Sequence, residues 1–508
     1  ILSKIIYVDD DAAGNNDGSN WQNAFIYLQD ALTTAQSTEL EKPVEIHVAQ
    51  GTYKPNEGFL AIKPGGVGRG GQPYPPKYPA DLAERATFQL INGVMLRGGY
   101  AGINEPDPNA RDVKLYKSTL SGDLNDNDMD IGDPCDLFNV PNRHDNSWNV
   151  VTGSNTNATA TLDGFTITRG YTWVVLYGDS FAGGAGMLIF SGSPALINCT
   201  FTENVTGNSG GGLLIYGDSN PTLHNCKFSR NYADGGGGIC NGRDSSPTLI
   251  NCTFSDNYAR YEGGAMFNGG SNPKLTGCTF SNNSVPDNPY SVSEGGGAMR
   301  NSASNVIITD CTFCDNIAGC GAGMYNDKNS ILKLTNCTFR ANLAKQHPGG
   351  GMFNEDTNDL VLTDCIFSGN SATFAGGGMF NRYSNVLLKN CIFSGNRTYD
   401  ELRTNPPYIL PGQGGGLFAF GDTTLINCTF CGNWAQKYCT ISKYTFSDIS
   451  MVNCILWDGG NAVIKTGTRP NIIYSNIQGG WEGEGNNAED PLFVNPGYWA
   501  DADDPNII

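Results

Sequence analysis

Glu262 and Glu294 each stand just before a glycine-rich stretch, in neighbouring copies of a repeated phrase, with Arg260 and Arg300 close by. Two carboxyl groups facing one bond can divide the acid and base, or acid and nucleophile, roles of glycoside hydrolysis. An arginine beside them could neutralise a uronate carboxylate. The same residues also read as a solvated charged face beside a turn, the ordinary setting of Glu and Arg. The four histidines, His47, His144, His224 and His347, fall in unrelated contexts and add no base to the pair. Glu262 and Glu294 are therefore the best catalytic candidates in a chain whose sequence otherwise commits no residue to catalysis.

A second constellation is metal-like. The stretch SGDLNDNDMDIGDP places Asp123, Asn125, Asn127 and Asp130 at a spacing similar to that of a calcium loop. Hard cations take such oxygens, so Ca2+ is the cofactor these residues would hold. The glycine and the closing glutamate of the EF-hand loop are missing, and a solvated acidic turn is the competing reading. Asp9, Asp11 and Asp17 form a sparser acidic set near the start.

Composition says what kind of chain must position these groups. Of 508 residues 66 are Gly, and only 16% are charged, which favours turns and flat packed strands over charged amphipathic helices. The formal net charge of −19 leaves no basic patch to neutralise phosphates, so nucleic acid is not an expected partner. No stretch approaches the length of apolar chain that spans a bilayer. The opening ILSKIIYVDD has no initiator Met and reads as a mature secreted product. The close, GYWADADDPNII, ends without a terminating element and reads as continuing toward an anchor.

Internal repeats decide the architecture. Cys-x-Phe-x-x-Asn recurs with its Cys at 199, 226, 252, 278, 311, 337, 365, 391 and 428, and a degenerate copy stands at Cys454; the commonest gap is 26 residues. Phe165 with Ile167, and Ser475 with Ile477, extend the columns to twelve coils. Three positions before each Cys the residue is apolar, from Leu196 to Met451. Cys and Phe obey the strand period of two, whereas Leu and Cys do not. The residue just before the Cys is Asn, Asp or Gly throughout, so a left-handed corner is expected there, with Asn side chains bonding from coil to coil. A second turn is expected at the Asn five residues after the Cys, and a third at Asn241, Asn268, Asn301, Asn326, Asn354 and Asn381. Three strands and three turns per coil predict an all-β, right-handed parallel β-helix. An amphipathic stripe, Trp21, Ala24, Phe25, Leu28, Ala31, Leu32 and Ala35, predicts an N-terminal capping α-helix with Ser19 and Gln22 as its capping box. The domains read as 1–54, the cap; 55–160, first coils with long excursions; 161–480, regular coils; and 481–508, an acidic tail.

The column cysteines are expected to be a buried ladder without chemistry. Cys314 and Cys431 directly follow column phenylalanines, with Cys320 and Cys439 across the same turn, and those two pairs are expected to be disulfides of an oxidising compartment. In the glycine strand the Met column should point inward. The next column, including Phe267, Arg300, Tyr325, Phe353, Phe380 and Phe418, should then point outward as an aromatic stripe. Enlarged turns carrying Trp173 and Tyr290 stack beside it. Such a stripe is either covered by those turns or left as a contact surface, and the short turn 371–375 favours the contact surface.

The phrases GGAMFN and FSDN resemble the paired GGA(I/L/V) and FxxN motifs of polymorphic outer membrane proteins. The repeats are similar to the wider group of secreted bacterial right-handed β-helix proteins with a pectate-lyase-like fold. The opening IYVDDDAAGNNDGSNWQNAFIYLQDAL and the late segment DPLFVNPGYW resemble that group's first and closing segments, so the resemblance covers nearly the whole chain. It implies extracellular or cell-surface residence and adhesion-like roles, and it supplies no catalytic residue. Neither a GHG nor an RIK segment of the polygalacturonase kind occurs. The expected function is a non-catalytic structural or adhesive surface protein, with a glycan, another surface protein or a second copy of itself as partner. The alternative is a polysaccharide-binding or polysaccharide-degrading β-helix.

Overall fold

The computed structural model describes residues 4–37, 42–56, 83–172, 183–286, 295–399, 412–436, 440–443, 447–458, 464–465 and 469–493. The chain forms two compact units, residues 1–260 with 265–267, and residues 261–264 with 268–508. Each is built of parallel strands wound into coils, so the fold is a right-handed parallel β-helix.

In both units the sequence columns are the strand register. In the first, Leu196, Leu223 and Leu249 are successive partners, as are Phe201, Phe228 and Phe254. In the second, Phe280, Phe313, Phe339, Phe367, Phe393 and Phe430 pair in turn. Their rings stack nearly parallel with centroids 4.6–4.8 Å apart, the spacing that strand pairing imposes. The Met column, Met299, Met324, Met352 and Met379, is wholly buried.

Corners have the expected chemistry. The residues before the column cysteines all have positive φ, from Asn198 at 51° to Gly277 at 65°. Their side chains bond between coils, as in Asn390 Nδ2 to Asp364 Oδ1 at 2.9 Å. At the second corner the left-handed residue is the one before the expected Asn, for example Asp315 or Ala341. The Asn itself turns inward and is fully buried. Asn342 Nδ2 donates to the Phe313 carbonyl and to Asn370 Oδ1, and the same pattern repeats at Asn370 and Asn396. A third ladder runs Asn268, Asn301, Asn326, Asn354, Asn381 through Nδ2–Oδ1 bonds of 2.7 Å. Buried amides are tolerated because their groups find partners along the stack. The coil differs from expectation in having a fourth, two-residue strand after the second corner, such as Ile317–Ala318 and Leu343–Ala344.

The cap is shorter than the apolar stripe suggested. Helix α1 covers Leu28–Gln36 and buries Leu28, Ala31, Leu32 and Ala35. Trp21–Asn23 is a separate 3-10 turn capped by Asn20, whose side chain accepts from Asn23 N, so Ser19 and Gln22 do not form the capping box. Phe25 interrupts the helix because its backbone pairs with Tyr7 and Asp9 at the first strand.

Two further expectations are overturned. Cys314, Cys320 and Cys431 carry thiols, and no disulfide occurs among the described cysteines; Cys439 lies outside the described residues. Phe313 points inward, so Cys314 lies on the outer side of its strand, in register with Arg340. Cys320 instead packs with Tyr325 and Phe353 over the glycine strand. The two sulfurs serve different faces of the coil.

The outward column is not an exposed stripe. Tyr325, Phe353, Phe380 and Phe418 are between 1% and 4% exposed, and Arg300 is 6% exposed. With Cys320 and Ala375 the four aromatics form a second apolar cluster, against which Phe374 and Phe420 pack. The cover is the chain just ahead of the strand. Gly349 and Gly376 have φ of 78° and 61°, and a Cβ on either would lie 2.8 Å from the Cβ of Phe353 or Phe380. These glycines fold the preceding turn back onto the aromatic rings. Phe267, in the first unit, is partly buried against Leu188, Leu214 and Cys240. Trp173 and Tyr290 lie outside the described residues.

Candidate functional site

The residue that follows each Asn of the third ladder ends its strand, and in three consecutive coils of the second unit these residues are Asp327, Glu355 and Arg382. They stand at the rim of the covered aromatic column. Tyr261, Glu262, Arg300, Tyr325, Asp327, Lys328, Glu355 and Asp356 line a cleft of about 450 Å³ there.

Arg300 organises the cleft. Its Nη1 meets Glu262 Oε2 at 3.0 Å and its Nη2 meets Asp327 Oδ2 at 2.6 Å. The guanidinium carbon lies 4.8 Å from the Tyr325 ring centroid, a cation–π arrangement. Burial pulls the Arg300 guanidinium downward, but Glu262 and Asp327 outweigh it and hold the group above its ordinary value. The Tyr325 hydroxyl donates to Glu355 Oε2 at 2.8 Å, and Arg382 Nη1 meets Glu355 Oε1 at 2.8 Å. Burial, then the nearby Cys320 and Glu355, push the Tyr325 phenol far up, so it is a donor at any ordinary pH.

Of the sequence candidates, Glu262 and Arg300 are brought together, although as an ion pair. Glu294 lies outside the described residues. Asp327, Glu355 and Arg382 were not singled out from sequence, because each finds its partner one coil away. The available signal was an ionisable residue just after the ladder Asn in three consecutive coils. Chemically the cleft offers carboxylates, a lysine and the partly exposed ring of Tyr261 to a hydroxyl-rich ligand. Glu262, Asp327 and Glu355 are each already engaged by a guanidinium or a phenol, so these three carboxyls do not form an open acid–base pair.

The four residues expected as a calcium loop do not converge. Asp123 is buried, accepts from the backbone of Asn127 and Asp128, and pairs with Arg169 Nη1 at 3.0 Å. Burial raises its carboxyl, and these donors together outweigh that and leave it low. Asp130 takes the other Arg169 nitrogen at 3.1 Å. Asn125 and Asn127 turn their Nδ2 groups to Asp145 Oδ2 at 2.6 and 2.8 Å. The physical reason is Arg169, which supplies the positive charge a cation would have brought. Near the N-terminus, carboxylate oxygens of Asp9, Asp10 and Asp11 lie within 4.8 Å of one another. Asp9 is buried and accepts from Ile103 N at 2.7 Å and Asp11 N at 3.1 Å, and Asn104 donates to Asp11. Asp17 instead accepts from Ser19.

Comparison with known proteins adds the fold class. The sequence model of a family described as a right handed beta helix region matches residues 150–320 and 258–380. No curated protein matches the chain. Among the described residues no helix is long and apolar enough to cross a membrane.

Proposed function

We propose that this β-helix is a non-catalytic structural or adhesive protein that works at a cell surface or in the extracellular space, with the Arg300 cleft as the place where a glycan or a partner protein rests. The observation that carries the reading is the commitment of the cleft's acids: Arg300 holds Glu262 and Asp327 together, while Tyr325 and Arg382 hold Glu355. A hydrolase needs one carboxyl able to give a proton and another able to receive one or attack, and ion-paired carboxylates serve neither role well. The cysteine, asparagine and phenylalanine columns support the same reading, because all are engaged in packing coil on coil. The resemblance of the repeats to secreted repeat proteins supports surface residence.

The exposed Tyr261 beside Glu262 favours a second reading, polysaccharide binding with turnover. Incubation with a panel of acidic and neutral polysaccharides separates the two. No reducing ends and no unsaturated products are expected. Turnover that disappeared in Glu262→Gln would overturn the non-catalytic reading.

A further inference from the structure

An arginine lining a cleft is suited to hold a ligand carboxylate in a two-pronged grip, and Arg300 stands where it could do so. The structure uses it otherwise. Its Nη1 is held by Glu262 Oε2 at 3.0 Å and its Nη2 by Asp327 Oδ2 at 2.6 Å, while the Tyr325 ring, 4.8 Å from the guanidinium carbon, occupies one flat side. The Arg300 side chain is 7% exposed and that of Glu262 31%, so of this pair the carboxylate is the group a ligand meets. Arg382, in the coil after Glu355, is paired with Glu355 Oε1 at 2.8 Å. Lys328 is the remaining cation of the lining. It holds the same left-handed turn position as Asp356 in the next coil, with φ of 51° and 49°. Strand pairing sets such positions about 5 Å apart, so the Lys328 charge is opposed by a neighbouring acid.

The cleft therefore presents carboxylates and the ring of Tyr261, which is 37% exposed. Against Glu262, Asp327, Glu355 and Asp356 stand Arg300, Arg382 and Lys328, in a chain of net charge −19. An acidic sugar entering there meets guanidinium groups already engaged by acids, and like charges set side by side cost affinity. A sugar hydroxyl instead donates to a carboxylate in a charge-assisted bond, and an aromatic ring can take the apolar face of a sugar. We propose, resting on the reading of this cleft as a glycan site, that Glu262 and Asp327 set its ligand class: by occupying Arg300 they bar uronates and leave the cleft to uncharged, hydroxyl-rich sugars. Arg300 is then a masked anion receptor, and the two acids determine specificity.

The test is calorimetry on the full chain with short oligomers of galacturonate, glucuronate and mannuronate. Each is compared with its carboxyl-reduced counterpart, which keeps the linkage and replaces the charge by a hydroxymethyl group. At least one neutral oligomer should bind, and its uronate counterpart should bind about tenfold or more weakly. Tyr261→Ala should weaken the neutral oligomer. Glu262→Gln removes the charge over Nη1 and keeps the shape, so it should tighten the uronate by about tenfold and move the neutral oligomer far less. Asp327→Asn should act in the same sense. If loss of that buried charge impairs folding, as melts would show, the partly exposed Glu262 keeps the test decisive. Uronates bound as tightly as their neutral counterparts, or a Glu262→Gln variant that still excludes them, would overturn the proposal while the glycan reading stood. Binding of none of the oligomers would overturn that reading and the proposal with it.

Discussion

Phe353→Ala and Phe380→Ala are each expected to lower stability by about 3–5 kcal/mol, the cost of removing a buried phenylalanine, and to leave self-association unchanged. Both rings lie in one cluster with Tyr325 and Phe418; Phe353 stacks on Phe380 at 5.2 Å, and Phe380 on Phe418 at 5.0 Å. The turns folded down by Gly349 and Gly376 cannot follow the lost ring without breaking the strand that continues from them, so a cavity remains. Thermal melts and sedimentation velocity decide the matter. Near-native stability with weakened association would show that the rings face a partner, as a contact surface requires.

Asp458→Asn is expected to stabilise the protein at neutral pH. Asp458 occupies the end of the inward Asn ladder, where its Oδ1 accepts from Asn433 N at 2.7 Å and Asn433 Nδ2 at 3.1 Å. Burial pushes its carboxyl up to about 6 from an ordinary 3.8. The folded state therefore binds a proton more tightly than the unfolded chain. The corresponding stability is present in full below pH 3.8 and is lost as pH rises through about 6, a difference of about 3 kcal/mol between the two ends. An amide carries no such charge, and it could donate to the Phe430 carbonyl as Asn433 donates to that of Phe393. Melts of both proteins from pH 4 to 8 should diverge progressively above pH 4, with the variant more stable at pH 7. Parallel curves would mean that Asp458 does not titrate in this window.

The columns of Leu, Cys and Phe were legible because packing between parallel coils puts identical residues on identical neighbours, and a 26-residue period records that directly. The corners were legible for the same reason, since Asn, Asp and Gly accept positive φ. The inward or outward sense of the aromatic column followed from strand alternation. Its cover did not, because a left-handed glycine such as Gly376 can turn the chain toward or away from the sheet without any change in residue type. The cleft was half legible. Glu262 and Arg300 stood out as charges near glycine strands, but the pairing of Arg300 with Asp327, and of Tyr325 with Glu355, spans a whole coil and leaves no local pattern. The cysteine pairs misled because nearness along the chain hid the fact that Cys314 and Cys320 belong to different faces.

If the repeat columns are core rather than chemistry, the most direct measurement is native-state thiol labelling counted by peptide mass spectrometry. The ten column cysteines, from Cys199 to Cys454, are at most 1% exposed and should stay unlabelled until the protein is unfolded, then label completely without prior reduction. Cys135 and Cys431 are partly exposed, and their thiols are pushed up to about 11, by burial first, with Asp133 and Asp136 adding at Cys135 and Asp458 at Cys431. They should label slowly in the native state. Rapid native labelling along the column, or column cysteines that label in denaturant only after reduction, would contradict a packed, unbridged thiol ladder.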